Sequence, residues 1–141
     1  MTGQGDGLTD AGMNWNRFFE WGAAVRVSAG WAALGVALGA FGAHALKPVL
    51  LQRPEGAEVW KTAVLYHLVH GVVMLVIAFQ GERANRLAWG LMFAGTLAFS
   101  GSLYLLSTMG WRALGPVTPF GGLLLMAGWV ALVAAPWRKI F

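Results

Sequence analysis

The stretch WKTAVLYHLVHGVVMLVIAF, Trp60–Phe79, decides the fold. From Thr62 to Phe79 it holds no Asp, Glu, Lys or Arg. At 1.5 Å per residue such a run makes a helix about 27 Å long, close to the thickness of a bilayer's hydrocarbon core. It also carries two of the chain's three histidines and one of its two tyrosines. Polar groups in lipid are costly unless they are paired, so His67, His70 and Tyr66 are expected to turn toward other helices.

Composition agrees with a lipid solvent. Of 141 residues, 57% are hydrophobic and 11% charged, with a mean hydropathy of +0.60. A soluble domain carries about 25% charged residues. With no cysteine, disulfides, thiolate metal sites and cysteine nucleophiles are excluded. The net charge of +4 comes from few, scattered groups. That pattern speaks of membrane orientation; nucleic-acid binding would need a clustered basic face, and no nucleic-acid partner is expected.

Working outward from the central span, the chain divides into a tail and four apolar runs. Residues 1–13, MTGQGDGLTDAGM, are polar and Gly-rich and read as a flexible tail, without the basic region or small-residue cleavage site of a signal peptide. Residues 14–22, NWNRFFEWG, read either as an interfacial amphipathic helix or as the first turns of helix one, with Asn14 as N-cap. The first span covers about 23–46 and ends at Lys47-Pro48. Gly35, Gly39 and Ala43 recur in it at every fourth residue, flanked by Ala29, Ala32 and Gly42. This small-residue face suits close helix packing within the chain, or alternatively a homo-oligomer contact.

The longest connection, Pro48 to Trp60, is held in water by Lys47, Arg53, Glu55, Glu58 and Lys61, with Val49, Leu50 and Leu51 expected on the bilayer surface. After the second span (62–79), QGERANR turns the chain into a third (87–108), and MGWRALGP into a fourth (117–135). Gly121, Gly122 and Gly128 are candidates for packing in the fourth, which stops at Pro136 before Trp137, Arg138 and Lys139. The fold expected is all-α, an integral membrane four-helix bundle with a short N-terminal interfacial helix.

Tryptophan supports this partition, because Trp15, Trp21, Trp60, Trp89, Trp111 and Trp137 fall near span ends, where an amphipathic ring prefers the headgroups. Four spans put both termini on one side, with Arg17, Arg26, Arg83, Arg86, Arg138 and Lys139 there, against Lys47, Arg53, Lys61 and Arg112 opposite. The positive-inside rule then places the termini in the cytoplasm.

Depth along the helices groups the polar residues. Residues late in the odd spans share a level with residues early in the even ones. Counted from Lys47 and Lys61, His44 lies about 5 Å in, His67 about 9 Å and His70 about 13 Å. Ser100, Ser102, Tyr104, Thr108 and Thr118 fall in the same half, whereas the opposite half holds little beyond Thr96. A polar pocket formed by His44, Tyr66, His67, His70, Ser100, Ser102, Tyr104 and Thr118 is expected, as a hydrogen-bond network or as a ligand site. His67 and His70, at i and i+3, are expected on one face; with His44 they are the candidate metal ligands. No carboxylate lies within the spans after Glu20, which weakens a cation carrier or a general acid/base pair, and no cofactor is favoured.

Four stretches together, GAFGAHALK (Gly39–Lys47), WKTAVLYHLVH (Trp60–His70), FSGSLYLL (Phe99–Leu106) and LGPVTPFGGLLLMAGW (Leu114–Trp129), resemble a family of small integral membrane proteins. This is the family called domain of unknown function 423, which includes the transmembrane protein 256-like proteins. The resemblance implies a compact four-helix protein of the bacterial inner membrane and no particular reaction. Three functions stay open: a structural or accessory subunit of a larger membrane complex, which is favoured; a binding module for a lipid, quinone or other small molecule in the His/Tyr/Ser pocket; and a metal-dependent membrane enzyme or transporter.

Overall fold

A computed structural model describes residues 15–81 and 85–135, leaving out the side chains of 15–21 and Arg112. The N-terminal tail, the Asn14 cap, Arg83 and the run from Pro136 onward lie outside the described residues. Within them every regular element is helical: α1 (Trp15–Ala43), α2 (Lys47–Leu50), α3 (Gly56–Phe79), α4 (Arg86–Met109) and α5 (Val117–Val133). Three helices are long and apolar enough to cross a bilayer, over Gly22–Ala43, Gly56–Phe79 and Arg86–Met109. α5, with 17 residues, is shorter, about 26 Å and at the lower limit for a span. Residues 15–22 run into the first span in one unbroken helix; no separate interfacial helix precedes it among the described residues.

The helix ends follow from local chemistry. Asn85 caps α4, its Oδ1 accepting from the Ala88 amide at 2.9 Å, while its Nδ2 donates to the Ala131 carbonyl at 2.8 Å and ties down the end of α5. α4 stops at Gly110, whose φ of 69° is the left-handed conformation that closes a helix. Its last carbonyls need partners, and Arg53 supplies one, Nε donating to the Thr108 carbonyl at 3.0 Å. Arg53 therefore belongs to the fold. Leu50 likewise turns inward, 3% exposed, because the short α2 folds back over the start of α3, whereas Val49 and Leu51 stay exposed. Replacing Arg53 with alanine is expected to lower unfolding stability by about 1 kcal/mol, read as an earlier loss of helical circular dichroism in detergent.

The helices pack as α1 on α3, α3 on α4 and α4 on α5. α3 turns Gly71, Leu68, Val64 and Trp60 toward α1 and His70 toward α5; α4 turns Trp89 and Phe93 toward α1, and Gly95, Phe99 and Ser102 toward α5. α1 and α5 thus flank a central α3–α4 pair on opposite sides. Toward one end the centre is apolar, built on Met74, Ile77, Ala88 and Met92. Toward the other it is polar.

Missing side chains set the closeness of these contacts. Gly71 admits Ala32, whose Cα would lie 3.3 Å from an added Cβ; Gly39 meets Val64 at 3.3 Å, and Gly35 meets Leu68 at 2.9 Å. Ala43, expected in this row, is exposed, and Gly42 takes the inward position against Trp60. On α5, Gly121 lies on the Phe99 backbone and Gly128 on Met92, while Gly122 only touches the Phe99 ring.

Candidate functional site

α1 and α3 are joined by one device used twice, seven residues apart. A helical side chain leans back over the turn before it and covers the carbonyl four residues earlier. With glycine at 35 and 42 the carbonyls of Trp31 and Leu38 are left open. His67 Nε2 reaches the Trp31 carbonyl at 3.0 Å, and Trp60 Nε1 donates to the Leu38 carbonyl at 3.1 Å. A Cβ on Gly35 would stand 3.2 Å from His67 Cδ2, and one on Gly42 would overlap the Trp60 indole nitrogen.

His67 is 1% exposed and holds three helices together. A carbonyl can only accept, so Nε2 carries the proton, and Nδ1 accepts from the Tyr104 hydroxyl of α4 at 3.2 Å. Trp31 lies against the imidazole, ring centroids 4.5 Å apart, and Trp60 covers Tyr104 at 4.6 Å.

His70 does the corresponding work on the α5 side with the opposite tautomer. Its Nδ1 donates to the Tyr66 carbonyl at 2.8 Å, and Nε2 accepts from Trp129 Nε1 at 3.3 Å. About three turns toward the start of α5, Ser102 and Thr118 share a hydrogen bond at 2.7 Å. Every ring nitrogen of the two imidazoles thereby has a partner.

The eight residues expected in one pocket divide among separate contacts. His67 and Tyr104 meet against α1; His70, with Trp129, and Ser102, with Thr118, meet against α5. Tyr66 contributes its carbonyl, and its ring packs on His70 and Phe99. Ser100 Oγ is buried without a hydrogen-bond partner. His44 is exposed in the turn after α1 and joins neither histidine. His67 and His70, about 60° apart on one side of α3, nevertheless serve different helices, His67 bonding to α1 and α4 and His70 to α5. Among the described residues no three His, Asp or Glu side chains are grouped to hold a metal. Thr108 bonds back to the Tyr104 carbonyl.

Four participants carried no clear signal in sequence. Trp31 and Leu38 act through backbone carbonyls, which any residue possesses. Trp60 is 5% exposed, although its position near a span end suggested the headgroups. Ser28, fully buried, accepts from Trp89 Nε1 at 3.0 Å and donates to the Ala24 carbonyl at 2.8 Å, tying α1 to α4 at the other end. The glycines four residues after the open carbonyls were the available clue.

Membrane-length apolar helices joined by imidazole, indole and hydroxyl hydrogen bonds define a small integral membrane protein with helix ties in its centre. A family model described as a protein of unknown function (DUF423) matches residues 38–122, and the chain belongs to this family. It is 40% identical over 109 residues to the UPF0382 membrane protein YwdK of Bacillus subtilis, covering 74% of this chain and 87% of that one. It is 39% identical over 110 residues to the UPF0382 membrane protein SH2409 of Staphylococcus haemolyticus, covering 76% and 88%. A Staphylococcus epidermidis UPF0382 membrane protein is 40% identical over 107 residues, covering 74% and 86%. No solved structure matches the chain.

Proposed function

We propose that this chain is a non-enzymatic structural or accessory subunit of a larger membrane complex, in a bacterial inner membrane, with both termini on the cytoplasmic face. The observation that carries this reading is the internal use of every ring nitrogen of His67 and His70. A metal ligand, a proton carrier or a ligand anchor needs a lone pair or a donor free to act, and these rings keep neither. Their hydrogen bonds hold helices in place instead. The excess of basic residues on the side of the termini supports the orientation.

The outer face of α1 supports the docking role. Ala29, Ala33, Ala37 and Ala40 are exposed on the side opposite the α3 contact, and Gly30 beside them has open space where a side chain would be. A ridge this low lets the backbone of another helix come close, where packing rather than burial drives association in lipid. The test extracts the chain into polymer-bounded membrane discs and follows its size. Wild type should run well above its 15.1 kDa monomer, and Ala33→Phe should shift it to the monomer with helix content unchanged. If wild type itself runs as a monomer, the accessory role is wrong.

A further inference from the structure

Beside the α1–α3 contact lies a groove of about 340 Å³, at the small end of the range for ligand sites. Its floor is Gly39 and Gly42 of α1 where Val64 and Trp60 of α3 meet them; Val64 and Leu68 form a wall, and Leu50 of α2 closes the aqueous end. The single charged group on its lining is Lys61. Leu68 is seven residues further along α3, so the groove runs about 10 Å inward from that ammonium.

We infer that this groove binds one acyl chain of an anionic phospholipid, with the phosphate on Lys61. The shape selects the occupant. A helix is 10–12 Å across with its side chains and does not fit a groove of this volume, whereas a hydrocarbon chain is one methylene wide. The polarity selects the head: apolar walls end at one cation, Lys61, one residue before the uncharged run that begins at Thr62. Lys61 Nζ is held by Glu58 Oε1 at 2.7 Å, with both side chains about 70% exposed. A pair that exposed is weak, so the ammonium exchanges it for a lipid phosphate at little cost. The site is independent of the outer α1 face and of the histidine contacts.

Native mass spectrometry of the full chain, released from nanodiscs of equal phosphatidylglycerol and phosphatidylcholine, tests this. Wild type should keep one phosphatidylglycerol about fivefold more often than phosphatidylcholine, the preference one basic residue gives at an anionic surface. Lys61→Gln, an exposed change that leaves the packing alone, should abolish the preference while a lipid stays bound. Ala43→Phe, on the exposed rim, should remove bound lipid whatever its head. Equal retention by wild type, a preference that survives Lys61→Gln, or lipid that survives Ala43→Phe overturns the assignment. So does a wild-type dimer that Ala43→Phe splits, which would make a second copy the occupant.

Discussion

Gly121→Ala is expected to be among the most damaging single-methyl changes in this protein, lowering stability by about 2–3 kcal/mol in a mixed-micelle unfolding titration. An added Cβ would overlap the backbone nitrogen of Phe99 and stand 2.8 Å from its Cα. A flexible side chain would swing away from such a methyl. Backbone inside α4 moves only if the helix moves, and α4 is held on its other sides by α3 and α1. Alanine's better helix propensity, about 1 kcal/mol over glycine, offsets part of the loss and does not reverse it. The neighbouring position is the control, because a Cβ on Gly122 finds only the Phe99 ring at 3.7 Å, an ordinary contact. Gly122→Ala should therefore be neutral or slightly stabilising. Equal effects at the two positions would mean that α5 does not rest on α4 through Gly121.

The contrast between these glycines shows what the sequence carries and what it does not. Run length alone located the membrane helices: the turns at 80–86 and 109–116 were punctuated by glycine and charge, and α4 begins and ends within a residue of its expected bounds. Depth was legible only in part: Ser102 meets Thr118 at the start of α5, whereas His70 meets Trp129 eleven residues further along the same helix. Azimuth was not. His67 and His70 differ by about 60° around α3, less than the width of a helix–helix contact, and only the position of α4 decides that one serves α1 and the other α5. Backbone acceptors are equally silent, so Trp31 and Leu38 could be found only through the glycines that uncover them. Arg53 and Asn85 were hidden for another reason: polar residues in short connections look solvated, and nothing in their neighbours announces that a carbonyl at the end of another helix needs them.

The other large effect is expected at His67 and separates a structural tie from a reactive site. His67→Phe should cost about 2 kcal/mol, because it removes the bond to the Trp31 carbonyl and leaves the Tyr104 hydroxyl facing an apolar ring. Tyr104→Phe should cost about 1 kcal/mol, since it strands the Nδ1 lone pair of an imidazole that is 1% exposed. The double variant should cost less than the sum by about 1 kcal/mol, because two apolar rings of matching size leave no group unpaired. Interhelical hydrogen bonds in membranes average about 0.6 kcal/mol and reach about 1.7, so a coupling of this size is that of one good bond. The unfolding titrations that give these three energies also give the answer on function. If the pair exists to hold α1, α3 and α4 together, a stably folded double variant should still enter whatever assembly the wild type enters, at the same size and yield. A double variant that folds with the expected coupling and yet leaves the assembly would show that His67 and Tyr104 present chemistry to a partner, and the accessory role would then have to run through the centre of the molecule rather than along the outer face of α1.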